Sequence, residues 1–155
     1  MDFITENEIN DGSATDAYFL RTEEALDAVG SNPEVVAEVS ADQYADGEME
    51  VFAGLDNVVE LLEDLPITVE ALPEGSYFDG GPVMRLSGQY RDFARYETSL
   101  LGFLSHASGM ATAADKVRRA ADTSSVLSFG SRHVHPQLSV MLERMALIAG
   151  FDGIS

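Results

Sequence analysis

Apolar residues recur along this chain with two periods, one near 3.6 and one of 2, and the switches between them mark the elements. The pattern is most regular from Ser124 to Ser155. Val126-Leu127-Ser128-Phe129 combines a β-branched residue with an aromatic and predicts a short buried strand. Gly130 to His135 follows as a tight polar loop. Pro136 stands where a first helical residue would, and Leu138, Met141, Leu142, Met145 and Ile148 recur at helical spacing up to a stop at Gly150. Phe151 to Ile154 opens another strand. Strand, loop, helix and strand form the unit of parallel α/β folds, in which the loop at the strand's carboxyl end faces the ligand crevice.

The earlier chain is more varied. Residues 1–14 are polar and turn-rich. Thr15-Asp16 offers capping side chains to a helix running from Asp16 to about Val29 and closed by Gly30. Strands are expected at Val35–Ser40, Met49–Ala53, Ile67–Leu72 and Val83–Ser87, the last ended by Gly88. Asp42–Asp46 is a polar loop turned by Gly47, and Pro73–Ser76 and Asp79–Pro82 are turns, with Tyr77-Phe78 between them. A helix from Leu55 to Leu65 is stopped by Pro66. A long helix begins near Gln89, with Phe93, Tyr96, Leu100, Leu104 and Ala107 three or four apart. Ser108-Gly109 is a possible break, and a second helical segment runs from Met110 to Ala121. Glu97, among apolar neighbours, is expected to pair with Arg91 or Arg95, or else to face a cleft. His106 is expected in the core.

Composition narrows the possibilities. The 155 residues carry a formal net charge of −18, with 27 acidic and 9 basic residues. Lys116 is the single lysine. A lysine-poor acidic surface suits a halophilic protein in molar salt, where repulsion is screened over about 3 Å. It also offers no basic patch for nucleic acid. With no cysteine there is no disulfide framework and no thiolate metal site, which fits a cytoplasmic location. The acidic amino terminus does not resemble a signal peptide. The longest uncharged run, Thr98–Ala114, is shorter than the roughly 20 apolar residues of a membrane span and predicts a buried helix.

The sharpest chemical constellation is Phe129-Gly130-Ser131-Arg132-His133. An aromatic ring can stack on a planar ligand, and an arginine can grip a carboxylate or phosphate bidentately. Gly130 would let the backbone approach that ligand. The plainer alternative is a buried phenylalanine beside a surface arginine. His133 and His135 lack a third ligand at diagnostic spacing, so no metal site is expected. No phosphate-binding glycine loop and no nucleophile elbow are present.

Four stretches together resemble the nicotinate phosphoribosyltransferase family in its archaeal and bacterial form. They are Ala14-Thr15-Asp16-Ala17-Tyr18-Phe19, Phe78 to Gly88, Tyr90 to Ala114, and Ser128-Phe129-Gly130-Ser131-Arg132-His133. The resemblance implies a type II phosphoribosyltransferase of mixed α/β (α+β) class. An amino-terminal α/β sandwich would occupy residues 1–122, and the first unit of an α/β barrel residues 123–155. The implied reaction joins nicotinate to phosphoribosyl pyrophosphate, giving nicotinate mononucleotide and pyrophosphate in NAD salvage. ATP and magnesium would serve the full-length enzyme rather than this portion.

The resemblance also implies roles. Phe129 would stack on the pyridine ring, and Tyr18 of a neighbouring subunit would cover its other face, making a homodimer part of the site. Arg132 would hold the nicotinate carboxylate or a phosphate. His133, where many relatives carry arginine, could donate to phosphate with a pH-dependent charge. Asp16 would be a weaker contact or a cap of the helix presenting Tyr18. No catalytic residue is identified, because the phosphorylated histidine and most phosphoribosyl pyrophosphate contacts of such enzymes lie on later barrel strands. A closed barrel takes about 250 residues, so the chain is expected to be a truncated, inactive amino-terminal portion. A nicotinamide- or quinolinate-using relative, or a non-catalytic dimerising module of the same fold, are the alternatives.

Overall fold

Local signals decide where most elements begin and end. The computed structural model describes residues 3–41 and 50–155. In chain order it contains helices α1 (Glu6–Asn10) and α2 (Ala17–Val29), strands β1 (Glu34–Ala41) and β2 (Glu50–Val51), helix α3 (Leu55–Leu62), and strands β3 (Thr68–Ala71), β4 (Tyr77–Phe78) and β5 (Gly81–Gln89). Helices α4 (Tyr90–Phe93) and α5 (Glu97–Ala120) follow, with a 3-10 turn at Ala94–Tyr96 between them. Strand β6 (Leu127–Ser128), 3-10 segments Gly130–His133 and Pro136–Leu138, helix α6 (Ser139–Ile148) and strand β7 (Gly153–Ile154) complete the order. The expected loop at Asp42–Gly47 and residue Met49 of the second expected strand lie outside the described residues.

The chain divides into two compact units. The first takes residues up to Ser40, Asp56–Ala71 and Pro82–Phe103. Its three-stranded sheet has the order β1-β5-β3, with β3 antiparallel to β5 in the register Thr68↔Ser87 to Ala71↔Met84. In β1 the inward positions Val35, Ala37, Val39 and Ala41 alternate with exposed ones, the period-2 signature of a half-buried strand. The middle strand β5 buries Val83, Met84 and Leu86, and these join Phe19, Val58, Leu61, Leu62, Phe93, Ala94 and Leu100 among the buried apolar residues. Gly88 does not end the strand; it lies within it, and a Cβ there would stand 2.7 Å from Ile67 Cγ2. On the exposed side Arg85 Nε meets Glu38 Oε1 at 2.7 Å.

The amino-terminal residues are not all turn. Thr5 and Glu8 form a reciprocal capping box that starts α1. Helix α2 closes as expected at Gly30, in the left-handed conformation with φ 64°. Glu97 takes neither expected arginine, because both are engaged by α2: Arg91 with Asp27 at 2.6 Å and Arg95 with Glu23 at 2.5 Å. Desolvation, and then the like charge of Asp16, raise the Glu97 carboxyl above its ordinary range.

The second unit takes the described parts of Ala41–Leu55, Leu72–Gly81 and Leu104–Ser155. Strand β2 pairs antiparallel with β4, Glu50↔Phe78 and Val51↔Tyr77, so Tyr77-Phe78 is strand rather than a link between turns. Val51, Ala53, Ala107, Ala111 and Met145 form its core, with Met110, Met141 and Ile148 packed against it. Helix α5 is unbroken through Ser108-Gly109. The Ser108 hydroxyl accepts from Ala53 N at 3.0 Å and donates to Ala53 O at 3.2 Å, and Thr112 Oγ1 accepts from Val51 N at 2.9 Å. These bonds tie the helix to the strand segment at the point where propensity alone suggests an interruption. His106 is exposed rather than in the core, because it falls off the buried stripe of Ala107 and Ala111.

Strands β6 and β7 are parallel, Leu127↔Gly153 and Ser128↔Ile154, with α6 as the crossover between them. Pro136 opens a 3-10 turn into that helix, and Gly150, with φ 85°, follows its end. The expected buried strand is nevertheless inverted. Ser128 is the buried residue, while Leu127 and Phe129 are both more than half exposed.

Candidate binding site

The segment after β6 is short and held at several points. Phe129 precedes the 3-10 turn Gly130–His133 and exposes 56% of its surface. Gly130 packs closely on α6: a Cβ there would stand 2.3 Å from Leu142 Cδ2, so a side chain would need that leucine to shift. Ser131 is anchored to the same helix, its N–H donating to Glu143 Oε1 at 3.1 Å and its hydroxyl at 2.6 Å. Arg132 and His133 are exposed, and neither side chain forms a hydrogen bond or ion pair among the described residues. His135 turns back instead, its Nδ1 accepting from Gln137 N at 3.3 Å at the start of the second 3-10 segment.

The base of this segment is clamped. Asp152 N donates to Val126 O at 2.9 Å, and Asp152 Oδ2 accepts from Val126 N at 2.8 Å. The Arg118 guanidinium at the end of α5 bonds the carbonyls of Asp122 and Ser124 and lies 3.5 Å from Asp152 Oδ2. A ring and a guanidinium three residues apart thus stand exposed on a turn whose backbone is fixed from below. That arrangement can stack on a flat ligand and accept its negative end.

The remaining expected site residues, Tyr18 and Asp16, belong to the first unit. Tyr18 opens α2 with 53% of its surface exposed, its ring 4.1 Å from that of buried Phe19. Desolvation, followed by the charges of Glu97 and Asp16, raises its hydroxyl pKa, so it stays a neutral donor at physiological pH. Asp16 occupies the cap position, where its carbonyl accepts from Phe19 N at 3.0 Å but its side chain bonds no helix N–H. Its Oδ2 accepts instead from Thr98 Oγ1 at 3.2 Å, and its own N–H donates to the same hydroxyl at 3.1 Å. The carboxylate therefore joins the start of α2 to the start of α5.

Sequence reasoning misses Glu143. It is 5% exposed, and its Oε1 also accepts from Ser155 Oγ at 3.1 Å. The Ser128 hydroxyl beside it, then Ser131 and Ser155, hold its carboxyl below the usual range. A glutamate between Leu142 and Arg144 looks like a solvent-facing helix position. The one signal that could have found it is the group of serines at 128, 131 and 155 flanking the helix that carries it.

Residues 16–108 match the family model described as quinolinate phosphoribosyl transferase, N-terminal domain. The nicotinate phosphoribosyltransferase pncB1 of Mycobacterium tuberculosis is 33% identical over 88 residues, which is 56% of this chain and 20% of that protein. Among solved structures, the nicotinate-nucleotide pyrophosphorylase from Pyrococcus furiosus is similar with a TM-score of 0.94 and 43% identity, over 100% of this chain and 40% of that one. Human nicotinic acid phosphoribosyltransferase is similar with a TM-score of 0.77 and 26% identity, over 92% of this chain and 36% of that one. The chain thus spans between a fifth and two fifths of the length of these relatives.

Proposed function

We propose, from the premise that this chain belongs to the quinolinate phosphoribosyl transferase N-terminal-domain family, that it is the amino-terminal part of a nicotinate phosphoribosyltransferase of NAD salvage. The reaction would form a bond from the pyridine nitrogen to C1′ of phosphoribosyl pyrophosphate as the C1′–O bond breaks and pyrophosphate leaves. The observation that carries this reading is the pairing of exposed Phe129 with exposed Arg132 on one anchored turn at the carboxyl end of β6. The ring would stack on the pyridine, and the guanidinium would take the carboxylate. Tyr18 of a second copy would close the other face, which makes a homodimer part of the proposed site. His133, exposed beside Arg132, would donate to a phosphate, and Asp16 would set the start of the helix that carries Tyr18.

ATP and magnesium belong to the proposed full-length enzyme. Among the described residues no group of three or more histidine or acidic side chains is placed to hold a metal ion, and no step of the proposed binding runs through one. No helix among them is long and apolar enough to cross a membrane. The proposed setting, that of a metabolic enzyme, is the cytoplasm.

Nicotinate titrated against the chain and followed by calorimetry tests this reading. Phe129→Ala should weaken binding about tenfold through lost stacking. Arg132→Ala should weaken it by roughly tenfold to a hundredfold through the lost charge-assisted bonds. Equal binding by wild type and both variants counts against the site. A quinolinate-using enzyme is the second reading, favoured by the description of the matching family model. Quinolinate carries a second carboxylate and needs a second cation; tighter binding of quinolinate than nicotinate selects that reading. The 155-residue chain alone should form no nicotinate mononucleotide.

The net charge of −18 supports a halophilic character. Circular dichroism across potassium chloride concentrations should show folding improve toward molar salt as like charges are screened. Equal or better folding in dilute buffer opposes it.

A further inference from the structure

The second unit buries a carboxylate that the proposed binding chemistry does not use. Glu143 sits on α6 beside buried Met145 and Ala146, a setting where an aliphatic side chain would pack without desolvating a charge. Its Oε1 gathers three donors: Ser131 N–H at 3.1 Å, the Ser131 hydroxyl at 2.6 Å and the Ser155 hydroxyl at 3.1 Å. Its Oε2 is buried and has no hydrogen-bond partner among the described residues. The neighbouring Ser128 hydroxyl, then those of Ser131 and Ser155, favour the ionised carboxylate, which can only accept hydrogen bonds.

The donors come from two places: the turn after β6 and the residue after β7. One oxygen on α6 therefore fixes both carboxyl ends of the parallel pair. Ser131 lies between Phe129 and Arg132, and the adjoining Gly130 packs against the end of the Leu142 side chain. With N–H and hydroxyl both tied to Glu143, the turn has little freedom to rotate either neighbour. A side chain serving only to fill space would need none of these bonds.

We infer that Glu143 is a positioning residue, which holds the Gly130–His133 turn in the conformation that presents Phe129 and Arg132 to an aromatic carboxylate. The inference rests on the reading of those two residues as the ligand contacts.

Amide NMR of the chain, combined with nicotinate titration, tests it. In Glu143→Gln the fold should be kept by circular dichroism, while the Ser131 amide proton moves upfield and exchanges faster with solvent. Nicotinate affinity should fall roughly tenfold, as expected for one charged hydrogen bond lost from a turn. Ser131→Ala, which keeps the N–H and removes only the hydroxyl, should fall between the two, and it carries the test if Glu143→Gln does not fold. Unchanged affinity in whichever of these variants folds overturns the inference, as does an unmoved Ser131 amide in Glu143→Gln. Phe129→Ala should lose nicotinate with the Ser131 amide unmoved, which separates the anchor from the contact. A wild-type chain that binds no pyridine carboxylate overturns the underlying reading, and the inference with it.

Discussion

Phe52→Ala should lower the unfolding free energy by about 3–5 kcal/mol, the largest loss expected of any single substitution considered for this chain. Phe52 is only 1% exposed and is among the largest fully buried side chains. Its backbone is held on both sides, Phe52 N donating to Ser76 O and Gly75 N donating to Phe52 O, each at 2.8 Å. The segment is thereby tied to the Pro73–Ser76 turn and cannot slide to fill the space the ring leaves. Collapse is what reduces the penalty of a large-to-small change, and a pinned backbone opposes it. Marginal stability of about 5–15 kcal/mol makes such a loss a large fraction of the whole. Chemical denaturation at fixed salt should show a lower midpoint with an unchanged slope. A midpoint within experimental error of wild type would mean that the ring is not a core element.

Glu74→Ala should be the second-largest, at roughly 3 kcal/mol, because one carboxylate serves three partners. Glu74 Oε1 accepts from Gly54 N at 2.7 Å and from Leu55 N at 3.2 Å, the donors that open α3. The same side chain pairs with Arg144 of α6, with Arg144 Nη1 3.2 Å from Oε1 and Nη2 bonded to Oε2. Side chains at a helix start stabilise by satisfying N–H groups that have no intrahelical partner and by complementing the helix dipole. Alanine removes both effects and also takes its carboxylate from a half-buried guanidinium. Glu74→Gln keeps an acceptor for the two N–H groups but loses the charge, and should cost about 1 kcal/mol. The gap between the two variants, read from the same denaturation midpoints, separates capping from charge. Equal losses would assign the whole effect to the ion pair.

Much of this architecture was legible because its signals are local. Gly30 and Gly150 end their helices where the apolar period stops, and Pro136 opens the turn into α6. The alternation in β1 and β3 and the apolar stripe of α3 need no distant partner to be recognised. The capping box of α1 is also local, Thr5 and Glu8 standing at the required spacing, but the segment around it is polar enough to read as turn. The misses have a different cause. Whether α5 breaks at Ser108-Gly109 depends on Ala53, 55 residues away in sequence. Whether Glu97 finds an arginine depends on Asp27 and Glu23, which reach those arginines first. Of the candidate site, the chemistry of Phe129 and Arg132 could be listed from residue types, but the exposure of the ring and the anchoring of Ser131 could not. A two-residue strand with Ser128 turned inward puts both aliphatic and aromatic neighbours outward, the reverse of what an apolar run suggests.

Ala53, Ala107 and Ala111 have no solvent exposure, and their methyl groups sit with Val51 and Met145 in the core of the second unit. That leaves evolution almost no latitude at these three positions. A bulkier residue must push α5 away from the segment after β2 and strain the hydroxyl ties of Ser108 and Thr112, while glycine at 107 or 111 would loosen α5. Substitutions on the exposed faces meet solvent instead of this packing and should cost far less.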